Sequence, residues 1–239
     1  MWSPSMNHVD IAIMHWLNSL VGKSASFDQG ILWLYYVNFI KGAIFVSIFW
    51  WYWFRKTDAA TTQQTREHVL STLGAAIIAI VVARILALSL PFRVRPRFEP
   101  ALHFILPVGA TPNDMMNWSG FPSDHSTMFA ALAGGLWFIS RPMGVLAMLY
   151  TIFIISFPRV YLGAHYPTDV LVGVILGAAL SSCLNLAVVR RLIARPVLRW
   201  EHTSPGAFYV ALFLLCFEFS TMFESLQKLA LSIVHFFSR

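Results

Sequence analysis

The chain has 239 residues, of which 57% are hydrophobic and only 12% are charged, whereas ordinary soluble domains are roughly 25% charged. Its mean hydropathy is +0.64. So apolar a chain has too little polar surface to cover a water-soluble globule, which excludes a soluble enzyme, a disordered tail and a coiled coil. The net charge of +6 is spread without a long basic run, so no nucleic-acid partner is expected. The composition predicts a single all-α integral membrane domain over residues 1–239.

The predicted elements begin with a short amphipathic helix. In residues 8–20 the apolar side chains Val9, Ile13 and Trp16 recur at helical spacing, which is typical of a helix that lies at a membrane interface. A helix that crosses the membrane needs about 20 predominantly apolar residues, and such runs follow the amphipathic helix. Six membrane-spanning helices are predicted, over residues 31–54, 69–90, 125–140, 143–157, 168–189 and 206–235. No cleavable signal peptide is expected, because the first 30 residues lack a basic start followed by an apolar core.

Loop charges predict the orientation of these spans. Basic residues are concentrated in short segments at one end of the predicted bundle, and the rule that cytoplasmic loops are positive places this end inside the cell. The residues are Arg55, Lys56, Arg66, Arg141, Arg190, Arg191, Arg195 and Arg199. Residues 190–202 are expected to be a linker loop at this end. We therefore predict a multi-pass protein of the inner (plasma) membrane, with residues 91–123 on the periplasmic face.

Three polar groups lie at that outer end. Each alone is compatible with arginines that extend to lipid headgroups or with ordinary helix N-caps. Their joint occurrence, in this order and at the same face, favours a catalytic site instead. The first group holds Arg84, Arg93, Arg95-Pro96 and Arg97, the second is Pro122-Ser123-Asp124-His125, and the third holds Arg159, His165 and Asp169.

The residue types in these groups suit phosphate chemistry. Guanidinium groups match phosphate oxygens and stay charged. The helices that begin after Ser123 and after Tyr166 are expected to add backbone donors at their N-termini. His165 can attack phosphorus if Asp169, one turn later, holds its far ring nitrogen. His125 can protonate the leaving oxygen and then activate water.

At these residues the chain resembles the type 2 phosphatidic-acid phosphatase superfamily, which includes bacterial undecaprenyl pyrophosphate phosphatases and phosphatidylglycerophosphate phosphatases. The family pattern is Lys-x6-Arg-Pro, then Pro-Ser-Gly-His, then Ser-Arg-x5-His-x3-Asp. The resemblance extends over about residues 30–190, with the motif-bearing core at about 69–190. The matching residues are Arg95-Pro96, then Pro122, Ser123 and His125, then Arg159, His165 and Asp169.

The resemblance implies a role for each matching residue. His165 becomes the nucleophile that forms a phosphohistidine, Asp169 its partner, and His125 the general acid. It also implies six spans, catalysis without a metal or other cofactor, and a lipid phosphate as substrate. The residues implied to bind phosphate are Arg95, Ser123 and Arg159.

The chain departs from the family pattern at three positions. Leu88 stands at the lysine position, Asp124 replaces the glycine of the second motif, and Pro158 replaces the serine before Arg159. Because Arg84 lies four residues before Leu88 on the same helix face, we expect Arg84 to replace the missing lysine. Asp124 is expected to place a negative charge beside the phosphate.

The number of cations favours a diphosphate substrate. Arg84, Arg93, Arg95, Arg97 and Arg159 exceed what one phosphate monoester needs, so a polyprenyl diphosphate such as undecaprenyl pyrophosphate is the predicted substrate. A phosphatidylglycerophosphate or phosphatidic acid phosphatase remains an alternative, as does transfer of the phosphoryl group to a second lipid. The expected partners are the lipid phosphate and the bilayer, with no obligatory protein partner.

Three other functions would use some of these residues or other polar residues of the chain. A zinc hydrolase would use His125, His165 and Asp169, but helix-borne ligands at zinc spacing are absent and the arginines would repel a cation. A serine hydrolase would use Ser123, without the usual Gly-x-Ser-x-Gly turn. A transporter would use the ionisable residues within predicted spans. Those residues are Lys41, Glu218, Glu224 and Lys228.

Overall fold

Helices form every regular element in residues 7–111 and 116–223, which are the residues that the computed structural model describes. The described part contains no β-strand, so the predicted all-α class is confirmed. Two short 3₁₀ turns, Pro96–Phe98 and Pro100–Leu102, lie in the long polar segment. The helices are α1 (His8–Asn18), α2 (Ala25–Tyr36), α3 (Asn38–Phe54), α4 (Ala59–Ser89), α5 (Asp124–Ile139), α6 (Arg141–Tyr150), α7 (Phe157–Tyr161), α8 (Pro167–Leu184), α9 (Ala187–Thr203) and α10 (Pro205–Ser220).

Three helices are long and apolar enough to cross a membrane. They are Ala59–Ser89, Arg141–Tyr161 and Pro167–Leu184, and the bent pair α2–α3 makes a fourth if it counts as one span. Helix α10 is apolar but shorter, and residues 224–235 of the predicted sixth span lie outside the described residues. Six spans therefore remain a prediction, while three or four are supported by length and composition.

The predicted first span, 31–54, is two helices rather than one. Helices α2 and α3 meet at an angle of 57°, with the extended residue Val37 between them. A break of this kind leaves carbonyl groups at the end of α2 without helical partners. Lys41 supplies one donor, since its Nζ lies 2.7 Å from the carbonyl oxygen of Tyr35. The buried ammonium group of Lys41 thus has a structural partner at the break.

Two further segments differ from the sequence prediction. The predicted span 143–157 extends over Arg141–Tyr161, because a π-helical stretch, Thr151–Ser156, joins α6 to α7 without a break. Residues 190–202 form most of helix α9 rather than a loop. Arg190 on the buried side of α9 binds Glu67 at 3.3 Å, while Arg191 and Arg195 are exposed. The arginines thus belong to an amphipathic helix. The sequence prediction treated them only as loop charges and overlooked the helical spacing of the buried residues among them.

Glycines on α8 place α5 at the centre of the bundle. A methyl group on Gly173 would lie 2.8 Å from the carbonyl oxygen of Ser123, and one on Gly177 would collide with the carbonyl oxygen of Thr127. Small residues of this kind let membrane helices approach closely. As a result the N-termini of α5 and α8 lie side by side, and Ser123 donates its backbone N–H to the carbonyl oxygen of Asp169 at 3.2 Å.

Helix α1 packs onto the end of this bundle at which α8 begins. Its buried residues are Asp10, Met14 and Leu17, and the two apolar ones join a cluster that contains Tyr161 and Tyr166. At its far end Asn18 exchanges two hydrogen bonds with the backbone of Ile105, at 2.7 and 3.0 Å. The predicted helix is thus present, and its position at a membrane interface stays a prediction.

Candidate active site

Backbone hydrogen bonds bring the three polar groups together at one end of the bundle. Gly120 donates its N–H to the carbonyl oxygen of Arg93 at 2.9 Å, and Arg97 donates to that of Gly163 at 3.0 Å. Gly163 has a positive φ of 64°, a conformation that glycine adopts without strain. This turn directs the chain from α7 back toward α8 and places His165 beside the 91–123 segment.

His165 is buried, and its ring orientation is fixed by a backbone carbonyl. Its Nδ1 lies 2.7 Å from the carbonyl oxygen of Gly120, so Nδ1 carries the proton and Nε2 keeps its lone pair. Nε2 lies 3.4 Å from Nη1 of Arg95. Burial and the positive charge of Arg95 hold the pKa of His165 well below its usual value. The imidazole is therefore neutral at neutral pH, with Nε2 available as a nucleophile.

The predicted partner, Asp169, lies beside His165 without a direct hydrogen bond to it. Its Oδ2 is 3.9 Å from Nδ1 of His165, a distance at which the carboxylate still stabilises positive charge on the ring. The same oxygen accepts the backbone N–H of Tyr166 at 2.7 Å, and Oδ1 binds the guanidinium of Arg93. Asp169 thus caps α8 and binds Arg93, while the carbonyl of Gly120 holds the ring.

Arg93 is shared between two carboxylates. Besides Asp169, its guanidinium binds Asp10 of α1 at 2.7 Å and donates to the hydroxyl of Thr168 at 3.1 Å. It also lies over the ring of Tyr166, 4.4 Å from the centroid. Arg93 is predicted from the sequence to bind phosphate, whereas the structure places its Nη donors on protein groups.

The N-termini of α5 and α8 are occupied by the protein's own side chains. On α8, the backbone N–H of Thr168 donates to Asp10 at 3.0 Å. On α5, the N–H of His125 donates to Asp124 at 2.9 Å, and that of Ser126 to the hydroxyl of buried Ser123 at 3.4 Å. Three backbone donors at these two ends thus have acceptors within the protein, and phosphate binding by the helix N-termini stays a prediction.

His125 forms a chain of contacts with Asp124 and Arg84. Its Nδ1 lies 3.1 Å from Oδ1 of Asp124, and Oδ2 of Asp124 binds Arg84 at 2.7 Å. Arg84 also lies over the ring of Trp118, 4.5 Å from its centroid. The extra charge of Asp124 is thus compensated by Arg84. Leu88, at the family's lysine position, is 85% exposed and takes no part in the site.

Arg95 holds the loops around the site in place. Its guanidinium donates to the carbonyl oxygens of Ala164 at 2.8 Å, Trp118 at 3.1 Å and Ser119 at 3.3 Å. The side chain is buried. These bonds connect the segment before α5 to the turn that carries His165, so Arg95 determines where His165 lies relative to the N-terminus of α5.

Arg159 differs from the other arginines, because no carboxylate binds it among the described residues. It is only 4% exposed, its Nε finds no hydrogen-bond acceptor in the described part, and it lies over the ring of Tyr35 at 5.2 Å. Its charge acts on both His125 and His165. Arg97 is similar, since its Nε also lacks an acceptor there and its Nη2 is 3.5 Å from the hydroxyl of Tyr35.

The alternative sites depend on side chains that the structure describes only in part. No group of three or more His, Cys, Asp or Glu side chains in this part of the chain is arranged to hold a metal ion. Ser123, the nucleophile of the serine-hydrolase alternative, accepts from the hydroxyl of Ser126 at 3.0 Å. Glu224 and Lys228, which the transporter alternative needs, lie outside the described residues.

Sequence reasoning missed three contributors to the site: Asp10, Tyr35 and the carbonyl of Gly120. A backbone carbonyl has no sequence signature, and Tyr35 lies near the end of α2, within a run that the sequence presents as one continuous span. Asp10, in contrast, could have been recognised from its position in the sequence. It stands at helical spacing from Met14 and Leu17, the buried row of α1, so it is an acid on an apolar face.

Parts of the chain are similar in sequence to known proteins. A segment of 118 residues is 32% identical to undecaprenyl-diphosphatase BcrC of Bacillus subtilis (strain 168), covering 48% of this chain and 56% of that protein. A segment of 114 residues is 26% identical to lipid A 1-diphosphate synthase of Escherichia coli (strain K12), covering 45% and 46%. The chain thus spans about half the length of the curated relatives it matches. No solved structure is significantly similar. Residues 68–193, more than half of the chain and all of its motif residues, match the PAP2 superfamily, and the chain belongs to that family.

Proposed function

We propose that the protein is a membrane lipid phosphatase that removes a terminal phosphate from a lipid phosphate or diphosphate. The observation that carries this proposal is the buried guanidinium of Arg159. The neighbouring carboxylates Asp10, Asp124 and Asp169 all bind other arginines, so Arg159 keeps its charge for an external anion. A buried donor without an acceptor is costly, and an oxygen of a bound phosphate would satisfy it.

The proposed reaction has two steps. Nε2 of His165 attacks phosphorus, the N–P bond forms as the bond to the leaving oxygen breaks, and His125 gives that oxygen a proton. Water then attacks the phosphohistidine and loses its proton to His125, which releases inorganic phosphate and restores both residues. The carbonyl of Gly120 and the carboxylate of Asp169 stabilise the positive charge that His165 carries between the steps. Arg159 stabilises the oxygens of the transferring group.

A polyprenyl diphosphate is the proposed substrate. The name of the B. subtilis relative, undecaprenyl-diphosphatase, supports this choice, and a diphosphate offers oxygens to both Arg159 and Arg97. Phosphatidic acid and phosphatidylglycerophosphate are the alternatives. Transfer to a second lipid is a distinct candidate, supported by the E. coli relative named lipid A 1-diphosphate synthase.

The proposed location is the inner membrane, with the site at its periplasmic face. The arginine-rich end, where α4 begins and α9 lies, would then face the cytoplasm. The bilayer and the lipid substrate are the proposed partners, without a nucleic acid or an obligatory protein partner, and without a metal or other cofactor.

Phosphate release by the purified protein in detergent tests the function. We expect turnover of undecaprenyl diphosphate at least about tenfold faster than of either monoester, inhibition by vanadate, and full activity in excess EDTA. His165→Ala should abolish turnover, whereas His202→Ala, at an exposed position of α9, should leave it unchanged. A tenfold preference for a monoester would overturn the proposal that the substrate is a polyprenyl diphosphate. If none of the three lipid substrates releases phosphate, with or without an added acceptor lipid, the proposal that the protein is a hydrolase is overturned.

A further inference from the structure

Asp10 is a fully buried carboxylate in a helix that the family match does not include. It is 0% exposed, and α1 precedes the matched residues 68–193. Burying a charge is costly unless the group is paired and hydrogen-bonded. Asp10 meets this condition through four donors, whose distances are 3.0 Å (Thr168 N), 2.6 Å (Thr168 Oγ1), 2.7 Å (Arg93 Nη2) and 3.2 Å (Asn7 Nδ2).

The donors connect Asp10 to the catalytic end of α8. Thr168 is in the first turn of α8, one residue before Asp169, and the free N–H groups of such a turn attract anions. Arg93 bridges the two carboxylates, with Nη1 on Asp169 and Nη2 on Asp10. The guanidinium fork is thereby fixed from both sides. Without Asp10, one edge of Arg93 would be free to turn toward a substrate phosphate.

We propose that Asp10 is a positioning residue of the active site, and that α1 completes this site from outside the family core. Asp10 holds Arg93 against Asp169, which keeps the Asp169 carboxylate beside His165 and keeps Arg93 away from the transferring phosphate. This inference rests on the proposed phosphatase function. It assigns Arg93 to the protein's own carboxylates and leaves Arg159 and Arg97 for the substrate.

The attachment of α1 does not depend on Asp10 alone. Met14 and Leu17 are buried in the cluster around Tyr161, and Asn18 binds the backbone of Ile105 through two hydrogen bonds. These contacts lie away from Arg93. Anchoring of α1 and positioning of Arg93 are therefore separable by mutation. Asn18 contributes only to anchoring α1, whereas Asp10 both anchors α1 and positions Arg93.

Asp10→Asn is the central variant, because it keeps the shape and the oxygen that accepts the backbone N–H of Thr168 while removing the charge that binds Arg93. We expect kcat for the lipid substrate to fall by about 10- to 100-fold, the range that a small misplacement of catalytic groups produces. KM should stay the same or decrease, since the released Arg93 can now bind phosphate. Asp10→Glu should restore part of kcat.

Asn18→Ala is the matched control for anchoring. It should lower the melting temperature while leaving kcat and KM of the folded protein unchanged. If Asp10→Asn leaves kcat unchanged, or if it and Asn18→Ala lose activity only in proportion to lost folded protein, the positioning role is excluded.

A double-mutant cycle tests the route through Arg93. In an Arg93→Gln background, Asp10→Asn should have no further effect on kcat, because the bridge is already absent. If the two substitutions instead lower kcat by independent factors that multiply, Asp10 does not act through Arg93.

A readout without turnover separates this inference from the proposed function. The ring signals of His165 in labelled protein should change in Asp10→Asn and not in Asn18→Ala, even if the wild type hydrolyses no lipid phosphate. An inactive wild type would overturn the phosphatase proposal, whereas an unchanged His165 signal in Asp10→Asn would overturn the positioning role.

Discussion

Among single residues, Arg159 has the clearest consequence for activity. We predict that Arg159→Gln lowers kcat by about 10²- to 10³-fold, as the loss of one preorganised donor to a transition-state oxyanion does. Arg159→Lys should recover little, because a lysine lacks the planar fork that matches two phosphate oxygens. Phosphate release measures both variants, with Arg141→Gln at an exposed position as the control. Activity of Arg159→Gln within twofold of wild type would mean that another cation binds the phosphate.

The pair Arg84–Asp124 gives a second prediction at this scale. Arg84→Ala should raise KM, because it leaves the charge of Asp124 uncompensated beside the incoming phosphate. The double variant Arg84→Ala/Asp124→Gly removes both charges and should recover most of the loss. Steady-state kinetics measure the recovery. Leu88→Lys in the Arg84→Ala background should recover nothing, since position 88 is exposed on the outside of α4. Recovery by that lysine would instead mean that Arg84 itself contacts the substrate.

His165 also makes a prediction about pH. Its nucleophilic form is the neutral ring, which predominates above its pKa, and burial beside Arg95 lowers that pKa. The acidic limb of kcat/KM should therefore lie below pH 6.5, the approximate pKa of an ordinary histidine. A pH–rate profile with a substrate that has an activated leaving group measures this limb. An acidic limb above pH 6.5 would mean that His165 is charged in the resting enzyme.

At the scale of elements, the contact between α5 and α8 aligns the residues that we propose to be catalytic. Gly177→Ala should lower the melting temperature and kcat together, because the new methyl group collides with the carbonyl of Thr127 and overpacking costs about 1–3 kcal/mol. Gly74→Ala is the matched control, since a methyl group on this helical glycine meets no atom within 4 Å. Thermal unfolding and phosphate release report the two effects. Wild-type values for Gly177→Ala would mean that α5 and α8 are less tightly packed.

The elements also show why sequence reasoning succeeded in part. Apolar runs predicted where α8 begins to within one residue and where α4 ends to within one residue. The start of α4 was predicted at residue 69, ten residues late, because its first turns from Ala59 are polar and leave no apolar signal. The break at Val37 was missed, since no proline or glycine marks it and long-range contacts maintain it. Tyr150, for example, donates its hydroxyl to the carbonyl of Ile40 at 2.7 Å.

For the molecule as a whole, the three polar groups were predicted to meet, and they do. Their residue types and spacing carry that information, because each group begins or ends a helix at the same end. Which arginine binds which carboxylate was not predictable. Five arginines and three aspartates at one end allow many pairings, and only the packing of α1 selects Asp10 for Arg93.

The orientation of the whole molecule in the membrane is the last prediction. Glu67 and Glu201 at the basic end bind Arg190 and Arg66, so the exposed arginines of α9 keep their positive charge there. The positive-inside rule therefore predicts that this end faces the cytoplasm and that the end with Arg159 faces outward. Single cysteines at the exposed positions 64 and 117, in a background without Cys183 and Cys216, test this in intact cells with an impermeant thiol reagent. Labelling at 117 and not at 64 is expected. The reverse pattern would place the active site on the cytoplasmic face, where only a lipid phosphate of the inner leaflet reaches Arg159.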